Sequence, residues 1–190
     1  MKKINKISAV ILVIFSLVFS CNHSEKLFQE NSNTWKSYGD NCWHFSENEL
    51  IGEVKNQESY LITKQRFKDF DLNLEFKPDN SINTGVFIRC INEDVNPKNC
   101  YELNIWDLHP DQTNRTGAIV ARVNPRVVVS TINKWNTYRI KAVNSHIQVW
   151  INDTLTIDTI DNALREGYIG LQAKATGKVS FRNINIQTID

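Results

Sequence analysis

Hydrophobic and polar residues alternate along most of this chain with a period of two. Phe70, Leu72, Leu74 and Phe76 interleave with Asp71, Asn73, Glu75 and Lys77, and Pro78 stops the run. That pattern predicts a half-buried antiparallel strand. Gly85–Arg89 and Tyr101–Asp107 alternate on either side of the polar stretch 91–99, so they read as two strands joined by an exposed loop. Val86 and Ile88 fall on one face of the first strand, with Gly85, Phe87 and Arg89 on the other. In the second strand Tyr101, Leu103 and Ile105 oppose Glu102, Asn104 and Trp106.

Further strands are predicted at 61–63, 117–123, 126–130, 137–142, 146–152, 154–157, 168–172 and 179–186, with turns at Asn144-Ser145 and Asn152-Asp153. Ala163–Glu166 reads as a single helical turn. In the last strand Val179 and Phe181 are odd but Ile184 and Ile186 even, a slip that predicts a bulge near Arg182-Asn183. No long helical period and no repeat appears. Many short strands with turns between them imply an all-β fold, an antiparallel two-sheet β-sandwich or a barrel.

The first residues stand apart from this pattern. Met1–Lys6 carries three lysines, Ile7–Phe19 is almost wholly apolar, and Ser20-Cys21 follows. This is the three-part form of a secretory signal, and its end resembles a bacterial lipobox in which Cys21 is lipidated. The expected organisation is a signal peptide over 1–20, a lipidated tether over 21–26 and one domain over 27–190. An exported bacterial lipoprotein, periplasm-facing or at the cell surface and held to the outer membrane through the lipid anchor on Cys21 alone, is implied.

Removing the three lysines of the leader takes the formal charge from +1 to −2. A near-neutral domain with no basic block argues against nucleic acid. Aromatic residues make up 10%, with five Trp, which suits a sandwich core or a sugar-binding surface equally. Export permits disulfides, and Cys90 and Cys100 stand at the two ends of the 91–99 loop. A bridge there and a set of free thiols including Cys42 are both open.

A run of motifs in order is similar to the 3-keto-disaccharide hydrolase domain family. They are Trp35, Leu50-Ile51-Gly52, the strand at 70–76, NTGVFIR at 83–89, YELNIWD at 101–107, TGAIV at 116–120, WNTYRIKA at 135–142, IQVWIND at 147–153, GYIGLQ at 167–172 and FRNINI at 181–186. The resemblance covers the chain from Leu27 onward. It implies a concanavalin-like jelly roll, related to laminarinase-type glycosidases, that cleaves glycosides already oxidised to a ketone at C3. Thr84, Cys100, Val120 and Lys174 depart from the family's usual Ser, Gly, Tyr and His.

Candidate chemistry gathers on the polar face of the two strands first described. Glu102 shares that face with Asn104 and Trp106, with Arg89 on the neighbouring strand. It reads either as a base or as the partner of Arg89 in a surface ion pair. Asp107 joins Glu102 if a bulge intervenes, and otherwise caps a loop. A C3 ketone acidifies the C2 proton, so one base suffices to form an enolate and expel the C1 substituent, and water then adds to the enone. The catalytic set expected is Glu102, Arg89 and Asp107. The enolate oxygen is assigned to Arg89, with Lys174 or a bound metal as substitutes, and no cofactor and no metal-ligand spacing is apparent. Asn104, Gln148, Asn152, Gln172 and Lys174 are the expected hydroxyl partners of an oligosaccharide or 3-keto-glycoside. Trp106 and Trp150 are the expected stacking platforms. The alternative is a lipoprotein that binds carbohydrate without turnover.

Overall fold

The structure is a computed structural model that describes residues 24–189. Its eleven strands are β1 (Ser24–Lys26), β2 (Trp35–Gly39), β3 (Trp43–Ser46), β4 (Glu49–Thr63), β5 (Phe70–Pro78), β6 (Ile82–Cys90), β7 (Tyr101–Ile105), β8 (Asn136–Val143), β9 (His146–Ile151), β10 (Thr154–Ile160) and β11 (Tyr168–Thr188). Among the described residues the helical content is one short 3-10 turn, Gln112–Asn114, capped by the Asp111 side chain. Among the described residues no helix is long and apolar enough to cross a membrane. The signal and the lipobox-like Cys21 lie outside the described residues. Ser24–Lys26, assigned from the sequence to a tether, already pair with Asn185–Gln187 of β11.

Two strands are long enough to serve both layers of the sandwich. β4 has 15 residues and β11 has 21, and they pair with each other along most of their length. Their pairing slips between Ala175 and Thr176, where Asn56, Ala175 and Gly177 all take positive φ. That corner hands the chain from one sheet to the other. On one side of it the order is β7-β6-β11-β4-β2, the first sheet. On the other it is β10-β9-β8-β5-β11-β4-β3, the second sheet. All these pairs are antiparallel.

The alternation read from the sequence decides what is buried. Val86, Ile88, Tyr101, Leu103, Ile105, Leu61 and Leu171 of the first sheet meet Leu72, Phe76, Ile140, Val149, Ile151 and Phe181 of the second in one core. A smaller cluster of Ile62, Phe87, Val95, Cys90 and Cys100 lies with Tyr38, Tyr60 and Tyr168 on the other face of the first sheet. Cys90 and Cys100 form a disulfide at the base of the 91–99 loop, and Cys42 is free and buried. From that base the loop reaches across the sheet, and Glu93 accepts from Lys36 and Tyr38 of β2.

Most predicted strands are present, and the predicted bulge is there: Asn183 has φ 52° and β5–β11 pairing shifts after Arg182. The turns at 144–145 and 152–153 are also present, with Asn144, Asn152 and Asp153 at positive φ. Three local readings are corrected. Residues 117–123 make only isolated bridges, Ile119 with Leu103 and with Val123. Residues 126–130 are irregular, with Val127 and Val128 exposed, because no neighbouring strand offers them an apolar face. Ala163–Glu166 forms no helical turn, since Leu164 O instead accepts from Arg89 and Leu164 N–H donates to the Tyr101 hydroxyl.

Candidate functional site

Strand register arranges the outer face of the first sheet as a lattice. One row across the strands runs Glu102, Phe87, Gly170, Ile62 and Lys36. The next runs Asn104, Gly85, Gln172, Tyr60 and Tyr38, and beyond it lie Asn83, Lys174 and Glu58. Residues two apart on a strand share a face, so all of these project to the same side. Gly85 and Gly170 leave the floor bare beside Glu102. A Cβ at Gly85 would also lie 3.0 Å from the Leu103 carbonyl oxygen.

Over this floor opens a cavity of about 540 Å³, a volume typical of ligand sites. Its walls are the Asp94–Pro97 part of the disulfide-based loop, His109 and Val120, and its floor carries Glu58, Tyr60, Asn83, Phe87, Glu102, Asn104, Gln172 and Lys174. A second crevice of about 490 Å³ lies beside β1, lined by Leu27, Phe28, Phe45, Leu50 and the 182–184 bulge. None of its lining residues holds a buried polar atom without a partner, whereas the first cavity has two, Asn104 Oδ1 and Gln172 Oε1.

Glu102 is 7% exposed and its carboxylate makes no hydrogen bond among the described residues. Burial pushes its pKa up, Lys174 opposes that and Glu58 adds to it, and the result is about 7. Lys174 Nζ donates to Glu58 Oε1 at 2.8 Å, and the Tyr60 hydroxyl donates to the same oxygen. Burial pushes the Glu58 carboxyl up, but these donors outweigh it and hold Glu58 below its ordinary value. Tyr60 is pushed well above a normal phenol by burial and by Glu58. The cavity thus holds one firmly ionised carboxylate and one that titrates near neutrality, a pairing that suits a general base.

Of the residues singled out in the sequence, Glu102, Asn104, Gln172 and Lys174 are brought together here. Trp106 stands at the edge, its ring 4.6 Å from His109 in an edge-on contact that buttresses the cavity wall. Arg89 is elsewhere. Its φ of 52° breaks the alternation, and its fully buried guanidinium donates to Lys68 O, Asn144 O, Leu164 O and Asp69 Oδ1. All five N–H donors are occupied, so Arg89 has none for a substrate oxygen.

Asp107 accepts from Thr131 N at 2.7 Å and from Thr131 Oγ1 at 2.8 Å, which pins the 124–131 segment. β7 ends at Ile105 and no bulge returns Asp107 to the face of Glu102. Gln148 and Trp150 lie on β9 in the second sheet, opposite Lys141 and Arg139 respectively, and Arg139 covers the Trp150 ring at 5.0 Å. Asn152 is a turn residue whose amide bonds Thr137 N and Asn136 Oδ1. These three are outside the cavity.

Glu58, Tyr60, Asn83 and His109 line the cavity without being among the candidates the sequence points to. The signal for the first two is present in the sequence, since Glu58, Tyr60 and Ile62 alternate with Ser59, Leu61 and Thr63, an alternation that extends the strand predicted at 61–63. Among the described residues no group of three or more His, Cys, Asp or Glu side chains converges as a metal site.

The family model described as 3-keto-alpha-glucoside-1,2-lyase-like domain matches residues 23–187. The chain belongs to that family. A solved structure from Parabacteroides distasonis ATCC 8503, provisionally described as a glycosyl hydrolase, superposes with a TM-score of 0.76 at 26% identity, covering 88% of this chain and 100% of its own. The Bacillus subtilis carbohydrate-binding module CBM66 follows at 0.64 and 18% identity, over 83% of this chain and 98% of its own. A Bacillus licheniformis beta-glucanase matches at 0.63 and 15% identity, over 89% and 98%. The last two share the fold, a jelly roll common to glycosidases and carbohydrate-binding modules. No curated protein sequence matches the chain.

Proposed function

We propose that this protein cleaves 3-keto-glycosides at the anomeric bond by elimination followed by hydration. The observation that carries the reading is Glu102: buried, without a hydrogen-bond partner, titrating near 7, and in one cavity with the Lys174 ammonium. Glu102 takes the proton from C2, next to the ketone, and the C2–H electron pair moves into an enolate. Lys174, which has donors beyond the one given to Glu58, faces the enolate oxygen in place of Arg89. Collapse of the enolate expels the C1 oxygen, which takes the proton that Glu102 now carries, and an enone remains. Water adding across the enone completes a net hydrolysis. The family description, a 1,2-lyase, supports the elimination half of this sequence.

A positioned base contributes about 10²–10⁴-fold. Incubation with a 3-keto-glucoside in heavy water is the test: released aglycone with deuterium at C2 of the product is expected. Release without deuterium at C2 would mean direct displacement and overturn the elimination. A second reading, binding without turnover, is favoured by Lys174 where the family resemblance leads one to expect His. It predicts sugar binding that survives Glu102→Gln and no aglycone release by the parent. For localisation, the lipobox-like end of the leader supports a lipid anchor on Cys21, and Cys21→Ser is expected to move the protein out of the detergent-extracted membrane fraction.

A further inference from the structure

Two amides on the cavity floor have only one orientation open to them. Lys174 Nζ donates to Glu58, so Glu58 is an ionised acceptor, and Tyr60 must donate its single hydroxyl proton to it. The Tyr60 oxygen can then only accept from Gln172, at 3.1 Å, which makes the near atom of Gln172 its Nε2. The carbonyl Oε1 is left as the free end. Asn104 is fixed by a separate argument: its near atom faces the Asn114 carbonyl, which only accepts, so that atom is Nδ2 and Oδ1 is free. Gln172 is 3% exposed and Asn104 1%, and both free oxygens are buried without a partner. Buried amide oxygens are rarely left so unless something absent satisfies them.

The register places these two residues either side of Gly85, which has no side chain to come between them. Glu102, on the row next to Asn104 and Gln172, is again an acceptor when ionised. We infer that the floor between Asn104 and Gln172 is an acceptor pair that selects a neutral sugar presenting two hydroxyl donors, and that Tyr60 and Glu58 are positioning residues that hold Gln172 in its accepting orientation. A carboxylate or a ketone oxygen, both acceptors, is refused at this place. The inference deepens the proposed function, since it rests on the same cavity. It also orients the substrate there, with the C3 ketone turned away from the acceptor pair and toward the Lys174 ammonium.

Tyr60→Phe isolates the effect, because it keeps the ring that packs edge-on against Phe87 at 5.8 Å and removes only the hydroxyl. Calorimetric titration of methyl glucoside and its 2-, 3-, 4- and 6-deoxy analogues reads out discrimination without requiring turnover. The parent is expected to bind at least one deoxy analogue roughly tenfold or more weakly than methyl glucoside, because a buried acceptor is then left unpaired. In Tyr60→Phe the Gln172 amide is free to turn, and that penalty is expected to fall below about threefold. Gln172→Leu, which cannot accept at all, is expected to abolish it and guards against a Tyr60→Phe protein that does not fold. A merely structural Tyr60 would lower thermal stability and leave the ratio between analogues unchanged. An unchanged ratio in both variants overturns the inference, as does a parent that binds none of these sugars or discriminates none of the analogues. Intact discrimination with no release from a 3-keto-glucoside would sink the lyase reading alone.

Discussion

The outer faces of the two sheets are polar to a similar degree in sequence and opposite in physical state. On the second sheet polar side chains hold one another: Arg139 grips Asp71 with two nitrogens, Arg182 grips Glu75, and His146 meets Asp158. Trp150 is covered by Arg139, and Trp135, just before β8, by Arg182 and Lys77. On the first sheet, among the described residues, Glu102 has no hydrogen-bond partner, two amide oxygens are buried unpaired, and Gly85 and Gly170 place no side chain on the floor. A polar face whose groups satisfy one another is a solvated surface. One whose groups are held in place but left incomplete is a site, because burying them without a ligand has a cost that nothing within the protein offsets.

The largest effect expected from that contrast is at Glu102. Glu102→Gln is nearly isosteric and should lower kcat on a 3-keto-glucoside by about 10²–10⁴-fold. It should also stabilise the fold at pH 8. Because burial raises the folded pKa from 4.5 to about 7, the protonated form is favoured in the folded state, and this stabilising contribution is fully present below 4.5 and lost as the pH rises through 7. The lost contribution is on the order of 3 kcal/mol, and the neutral amide should recover much of it. Denaturant titrations at pH 5 and pH 8 measure the difference. An unchanged stability at both pH values would mean that Glu102 is solvated like the carboxylates of the second sheet.

The next effect belongs to the loop that walls the cavity. The Cys90–Cys100 bridge closes a short loop, with a sequence separation of 10, and removing it by Cys90→Ala with Cys100→Ala should cost about 2–3 kcal/mol. Sugar affinity should fall with it, since Asp94–Pro97 lines the cavity. Equal affinity in the double variant would show that the floor acts without that wall. Smaller again is the pH effect on the intact protein. A base titrating at about 7 should make kcat/KM fall tenfold per pH unit below 7 and level off above it. A profile flat from pH 5 to 8 would remove Glu102 as the base.

Much of the fold is legible in the sequence because a period of two fixes which side chains are inside, as in β5, β8 and β9. What the period leaves out is which neighbour a strand finds. Glu102, Asn104 and Gln172 were readable as outward-facing polar residues, and so were Gln148 and Trp150, but the two groups belong to different sheets. Nothing local marks β4 and β11 as strands that turn a corner, apart from residues able to take positive φ at Asn56 and Gly177. Arg89 was misplaced for a related reason: one left-handed residue sends its side chain among carbonyls from distant segments. Glu58 and Tyr60 needed only a longer strand assignment.

The smallest expected effect tests the other half of the comparison. Gln148 and Trp150 look like sugar-binding residues in the sequence, and their surroundings in the second sheet argue that they are not. Trp150→Phe keeps an aromatic face for the Arg139 guanidinium, which itself stays tied to Asp71. Gln148→Ala removes an amide that lies between Lys141 and Asp158 on neighbouring strands. Exposed pairs of this kind are worth little, so the double variant should change stability by less than about 1 kcal/mol. Binding of methyl glucoside and turnover of a 3-keto-glucoside should both stay within about twofold of the parent, a margin well under the tenfold that one lost hydrogen bond of 1.4 kcal/mol would produce. A tenfold loss in either would mean that the second sheet also holds sugar, and satisfaction of polar groups would then no longer separate surface from site in this fold.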